Sequence, residues 1–247
     1  MQEEKHLQAY QNIKIMNVVV TGASRGIGYQ TVLALNREPK NKIIALARNE
    51  KLLQDLKKEG EHPENIHLFT FDLRKFQLYN PELVPQLKSV FNKVDVLINN
   101  AGFLVNKPFQ EQTEDDVDAQ MDLNFKAPFL LTQTLLSLFS EGAHVINISS
   151  MGGVQGSSKF PGLSVYSAAK GALAVLTELL AEELKNKNVK TNCLALGAAQ
   201  TEMLEEAFPG YQAPVSAAQM GSYVADFALN GHQFYNGKIL PVALSTP

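Results

Sequence analysis

Short apolar runs alternate along this chain with longer amphipathic ones, and that alternation restricts the fold more than any other property. Residues 15–20, 42–47, 66–71, 94–98, 144–148, 189–194 and 238–242 read as strands rich in Val, Ile and Leu. Between them, residues 27–36, 50–59, about 114–139 and about 163–184 carry helical patterns. Strands alternating with helices predict a parallel sheet covered on both sides. Continuous rather than alternating apolar strands are what burial of both faces requires. The expected architecture is one doubly wound α/β domain with a mostly parallel seven-stranded sheet and a core over about residues 15–245. No repeat, low-complexity segment or linker divides the chain.

Composition narrows the function classes. The 247 residues are 45% hydrophobic and 19% charged, with a formal net charge of −3. These values fit a globular domain and give no basic footprint for nucleic acid. The first eleven residues are polar, no run approaches a membrane span, and there is a single cysteine, Cys193. A soluble, cytoplasmic protein without nucleic-acid or membrane partners is expected. The five histidines, His6, His62, His67, His144 and His232, show no paired ligand spacing, so no metal is expected.

Between the first strand and the first helix lies Thr21-Gly22-Ala23-Ser24-Arg25-Gly26-Ile27-Gly28. Glycines there let the backbone turn tightly and approach a pyrophosphate, which the helix N-terminus attracts with unpaired N–H groups and its positive dipole end. The alternative is a glycine-rich turn with no ligand. Dinucleotide folds often place an acid about 20 residues further on to take the ribose hydroxyls. Here the second strand ends Ala45-Leu46-Ala47-Arg48, with no acid. Arg25 and Arg48 fit a ribose 2′-phosphate, because the guanidinium fork pairs bidentately with phosphate oxygens. NADP is therefore the expected cofactor, with NAD as the alternative; the bland reading of Arg48 is a solvated residue opening a helix. Asp72, at the end of the third strand, could equally cap a helix.

Tyr166 and Lys170 are four residues apart, which on a helix puts both on one face. A cation near a phenol lowers its pKa and makes it a usable proton donor to a carbonyl. Alone, such a pair is a common surface pattern. It is accompanied by Ser150 (or its neighbour Ser149) at the end of the fifth strand and by Asn124 inside the long helical stretch. A mid-helix Asn is mildly unfavourable, so it invites a local distortion or a bound water as explanation.

Thr21–Gly28, Asn99-Asn100-Ala101-Gly102 and the ordered set Asn124, Ser150, Tyr166 and Lys170 together resemble the short-chain dehydrogenase/reductase family, across about residues 15–242. The resemblance implies a Rossmann-type fold and hydride transfer between a nicotinamide cofactor and a small carbonyl or alcohol substrate. It implies Tyr166 as acid/base, Ser150 as the group polarising the carbonyl, Lys170 on the nicotinamide ribose and Asn124 in a proton relay. It further implies cofactor contacts at Gly22, Ser24, Arg25, Gly26, Ile27, Gly28, Arg48, Asp72, Leu73, Asn99, Ala101, Gly102, Gly197 and Thr201. A dimer or tetramer is expected, since Leu173, Val175, Leu176, Leu179 and Leu180 cannot all face one sheet. Rival readings are a 3-oxoacyl-carrier-protein reductase and a non-catalytic cofactor-sensing scaffold.

The chain departs from the family pattern in four places. The interval from Ser150 to Tyr166 is long, Leu196-Gly197 replaces the usual Pro-Gly, the segment 201–214 is short for a lid, and the C-terminus lacks the usual Val-Asp-Gly-Gly.

Overall fold

A computed structural model describes residues 15–244. The polar N-terminal stretch and His6 lie outside the described residues. Seven strands form one fully parallel sheet in the order β3-β2-β1-β4-β5-β6-β9. They are β1 (Asn17–Thr21), β2 (Lys42–Ala47), β3 (Ile66–Thr70), β4 (Val94–Asn99), β5 (Phe139–Ser150), β6 (Lys190–Leu196) and β9 (Ile239–Val242). Two residues each of β7 (Ala199–Gln200) and β8 (Val215–Ser216) pair separately.

Successive residues of each strand point to opposite faces and so feed two cores. Val18, Val20, Ile43, Ala45, Val96 and Ile98 join one, with Val32 and Leu35 of α1 (Gly26–Asn36), Leu53 and Leu56 of α2 (Glu50–Glu59), and Val224 and Phe227 of α8 (Ala217–Asn230). Val19, Ile44, Leu46, Leu97 and Val145 join the other, with Leu87 of α3 (Val84–Val90) and Leu131 and Leu135 of α5 (Ala127–Leu135). This two-sided burial is the one the continuous apolar strands predict. The chain order reverses between β1 and β4, so a crevice opens beyond their C-terminal ends, where open α/β sheets bind ligands.

Local chemistry sets the boundaries. Asn49 caps α2 by accepting from the Leu52 amide at 3.0 Å. Reciprocal capping boxes, Thr113 with Asp116 and Ser216 with Gln219, start α4 (Glu114–Met121) and α8. The helices α3 and α8 have no counterpart in the sequence reading. The single helix expected over 114–139 is instead α4, a π-helical turn over Asp122–Lys126, and α5, after which Phe139 already belongs to β5. Pro128 supplies a physical reason for the break. It has no N–H to give the Asn124 carbonyl four residues earlier, so the α register cannot continue through that point. On α6 (Ser164–Glu183), Leu173 and Leu176 are buried, whereas Val175 and Leu179 are 56% and 55% exposed.

Candidate active site

One cavity of about 1210 Å³ lies along the C-terminal edge of the sheet, and nearly all the residues singled out from the sequence reach it. Its first end is built from β1, the glycine turn and β4. The Thr21 hydroxyl donates to the Ile98 carbonyl at 3.2 Å and accepts from the Asn100 and Ala101 amides, both at 3.0 Å. The Asn100 side-chain amide donates to the carbonyls of Thr21 (2.9 Å) and Gly22 (3.2 Å). These bonds lock the two loops flanking the topological switch. Gly22 and Gly26 have φ of +68° and +59°, a region that favours glycine. A Cβ on Gly22 would sit 2.7 Å from the Ala101 Cα, and one on Gly28 only 2.3 Å from the Asn100 amide nitrogen.

Gly22, Ser24, Arg25, Gly26, Ile27, Arg48, Asp72, Leu73, Ala101, Gly102, Gly197 and Thr201 all line this cavity. Gly28 does not; it lets α1 pack against the Gly22 carbonyl. Asn99 is a correction. It faces away from the cavity, and its amide donates to Asn147 (2.9 Å) and Thr132 (3.3 Å) in a buried polar ladder that Asn147 extends to Thr177 (2.9 Å). The residue at the cavity is Asn100. β4 ends at Asn99, which the sheet holds through Asn147, whereas Asn100 lies in the turn beyond and reaches the Thr21 and Gly22 carbonyls. Asp72 accepts from the Arg74 amide at 3.0 Å, the turn-capping role that competes with an adenine contact.

The second end carries the side chains singled out as candidates for the chemistry. Ser150, Tyr166 and Lys170 line the same cavity. The Ser150 hydroxyl accepts from the Gly152 amide at 3.2 Å, while Ser149, the alternative, donates to the Lys170 carbonyl at 2.8 Å and braces β5 against α6. Lys170 is 3% exposed, and its ammonium donates to the Ile148 carbonyl at 2.8 Å. It lies 5.7 Å from the centroid of the Tyr166 ring. Asn124 is 0% exposed and stands behind the cavity wall, bonded both ways to the Phe103 backbone: it accepts from the amide at 3.1 Å and donates to the carbonyl at 2.7 Å. A Cβ on Gly102 would lie 3.1 Å from the Asn124 oxygen and 3.5 Å from the Lys170 nitrogen, so the bare backbone at 102 separates the two.

The titration of the pair differs from the sequence expectation. Burial pushes the Tyr166 phenol up to about 12 and the Lys170 ammonium down to about 8. The cation is itself desolvated and its hydrogen bond goes to Ile148, so desolvation outweighs its pull on the phenol. At neutral pH Tyr166 therefore holds its proton and Lys170 is mostly charged. Burial likewise raises the Cys193 thiol to about 11, and the residue packs as a buried, inert side chain.

The short α7 (Glu202–Ala207) lies within the segment 201–214, and its Glu202, Met203 and Leu204 line the cavity. Thr201 caps the helix, accepting from the Leu204 amide at 3.2 Å. Arg25 is drawn to it rather than left free. Its guanidinium donates to both carboxylate oxygens of Glu206, at 2.6 and 3.3 Å. Among the described residues no group of three or more His, Cys, Asp or Glu is placed to hold a metal ion, and no helix is long and apolar enough to cross a membrane.

The residues present fit a dinucleotide. The glycine turn offers a cradle that side chains would fill, opening onto the N-terminus of α1 in the same cavity as Tyr166 and Lys170. Known proteins agree. The chain is 30% identical over 198 residues to an uncharacterized oxidoreductase of Staphylococcus saprophyticus, covering 78% of each. It is 29% identical over 191 residues to the 3-oxoacyl-[acyl-carrier-protein] reductase FabG of Thermotoga maritima, covering 76% of each. In fold it matches a 4-hydroxyisoleucine dehydrogenase complexed with NADH (TM-score 0.79, 24% identity, 92% of this chain and 97% of that one). It also matches ElxO with NADP bound (TM-score 0.80, 22% identity, 93% and 97%). The family profile described as short chain dehydrogenase covers residues 16–212. The chain belongs to the short chain dehydrogenase family and is an NAD(P)-dependent dehydrogenase/reductase.

Proposed function

We propose that the enzyme uses NADPH to reduce an uncharged, largely apolar carbonyl compound, or runs the reverse oxidation. One observation carries this reading: a proton-bearing Tyr166, Ser150 and Lys170 share a single cavity with the glycine turn and Arg48. The bound nicotinamide supplies or accepts the hydride. Gly22, Ser24, Gly26 and Ile27 would hold its pyrophosphate, Arg48 and Arg25 its 2′-phosphate, and Lys170 and Thr201 the nicotinamide side. Leu73 and Asp72 would flank the adenine, with Gly102 and Gly197 giving room.

Ser150 donates to the substrate oxygen and aims it at Tyr166. Tyr166 gives its phenolic proton to that oxygen in reduction and takes it back in oxidation. The Lys170 charge stabilises the phenolate left behind. Asn124 acts through the backbone, fixing Phe103 and thereby the loop that faces Lys170.

The substrate end supports the substrate class. Leu104, Met151, Phe160, Leu163, Met203 and Phe208 give the lining apolar surface, alongside Lys170 and Glu202. The rival reading as a 3-oxoacyl-carrier-protein reductase has the Thermotoga relative in its favour. A basic docking patch would mark it, whereas α7 presents Glu202, Glu205 and Glu206 beside the mouth. A homo-oligomer belongs to the same proposal. Val175 and Leu179 on α6, with Phe129 and Val117 on the preceding helices, are exposed apolar groups suited to a second copy; light scattering should give a dimer or tetramer. A cytoplasmic setting fits the lone cysteine.

The test is titration with NADPH and NADH by reduced-nicotinamide fluorescence, favourable because the chain has no tryptophan. NADPH should bind more tightly, and Arg48→Ala should cost it about tenfold while sparing NADH. Preference for NADH overturns the NADP assignment. Saturable binding with no turnover of any carbonyl compound moves the reading to a cofactor-sensing scaffold.

A further inference from the structure

The ion pair between Arg25 and Glu206 joins two parts of the site that the chemistry treats separately. Arg25 is the N-cap of α1, in extended backbone geometry, and its side chain makes no cap bond. Its guanidinium instead spans to α7, gripping both oxygens of Glu206. Both partners are accessible, with side chains 44% and 63% exposed. Glu202, one helical turn before Glu206, lies on the same face of α7, and its Oε2 would be 3.6 Å from a Cβ on Gly26. Thus the acidic face of α7 is turned toward the glycine turn, the most anion-attracting part of the fold. The far end of α7 is tied across the cleft by Asn106, which donates to the Ala207 carbonyl at 2.8 Å.

A guanidinium meets a carboxylate or phosphate bidentately through its Nη1/Nη2 edge or its Nε/Nη edge, and Glu206 occupies the first of these on Arg25. With Glu206 on it, a phosphate must either displace the carboxylate or share the cation.

We propose that Glu206 is a specificity-determining residue that competes with the cofactor's 2′-phosphate for Arg25, and so sets how strongly NADPH is preferred over NADH. This rests on the NADPH reading above. NADH carries no group that competes for that edge and leaves the pair intact. NADPH binds at the expense of the pair, so the enzyme shows less discrimination than Arg25 and Arg48 together would give. The size of the effect is bounded by the exposure of the pair, because such surface ion pairs contribute about 0–1 kcal/mol. That corresponds to a change in affinity of up to about fivefold.

The experiment measures dissociation constants for NADPH and NADH, and for adenosine 2′,5′-bisphosphate against 5′-AMP, in the wild type, Glu206→Gln, Arg25→Ala and the double variant. Glu205→Gln is the charge-matched control; its Oε1 accepts from the Gly210 amide and does not reach Arg25. Glu206→Gln should tighten NADPH and the bisphosphate measurably, by up to about fivefold, and leave NADH and 5′-AMP within error. The gain should vanish in the Arg25→Ala background. Equal tightening of both cofactors, or the same gain from Glu205→Gln, means that only bulk charge is at work and overturns the proposal. Weaker NADPH binding in Glu206→Gln also overturns it, because Glu206 would then be orienting Arg25 for the phosphate. Failure of the NADPH reading is visible separately, as a wild type indifferent to both arginine substitutions.

Discussion

The cofactor end of the cavity and the loops beyond its substrate end are built to opposite tolerances. At the cofactor end, the Thr21 hydroxyl takes part in three hydrogen bonds and Asn100 clamps two carbonyls, and Cβ atoms at Gly22 and Gly28 would meet neighbours at 2.7 and 2.3 Å. In the loops beyond the substrate end, outside the cavity lining, Gly156 and Gly210 have nothing within 4 Å of where a Cβ would lie, whereas Gly152 at the lining is packed, its Cβ position 2.8 Å from the Ser167 oxygen. The helix α7 is held by an exposed ion pair and one side-chain bond to its last turn. The close-packed end fixes where a dinucleotide lies. The open loops can change their residues at little structural cost, so the fold keeps its chemistry while its substrate varies.

The sharpest break is chemical. Tyr166→Phe removes the only proton the proposed mechanism transfers, and should lower turnover by about 10³-fold, within the range general acid catalysis supplies, with NADPH affinity nearly unchanged. Turnover equal to wild type would remove Tyr166 from the mechanism.

Next come two stability effects of similar size at the rigid core of the site. Gly28→Ala forces a methyl group against the Asn100 amide and the Gly22 carbonyl. Overpacking of this kind should cost about 3 kcal/mol and lower the melting temperature by roughly 10 °C. Lys170→Met should show its effect through pH. Folding lowers the Lys170 pKa from 10.5 to about 8, so below pH 8 the wild type carries the full cost of burying the charge. Between pH 8 and 10.5 the folded protein sheds a proton that the unfolded chain keeps, and wild-type stability rises relative to Lys170→Met, by roughly 2–3 kcal/mol at most. Urea unfolding at pH 7.5 and pH 10 measures the change, and a constant difference would show that Lys170 is not desolvated.

The smallest effect lies in the open loops. Gly156→Ala meets no atom, yet its φ of +83° strains any other residue, so about 1 kcal/mol should be lost. A cost as large as that of Gly28→Ala would erase the contrast.

Much of this was legible in the sequence. Apolar β-branched runs such as Val18–Val20 can only be buried on both sides, and seven of them with intervening helices specify a parallel sheet. The glycine turn and the four-residue spacing of Tyr166 and Lys170 were readable because each motif is local and its backbone geometry follows from residue type. The π-turn at Asn124 is half legible: an Asn in mid-helix signals a distortion, and Pro128 four residues on is the local reason it falls there. The capping box at Ser216 and Gln219 was a local signal for α8 that could have been found.

By itself, then, the sequence determined the order of elements and the place of the glycine turn, because these follow from periodicity and short spacings; the candidate reactive side chains came from the family resemblance. Only the tertiary structure decided which of Asn99 and Asn100 meets the cavity. It also decided that burial raises Tyr166 and lowers Lys170, and that Arg25 is engaged by Glu206, 181 residues away. Each of these depends on which groups distant in the chain share one low-dielectric space, and no local pattern of residues encodes that proximity.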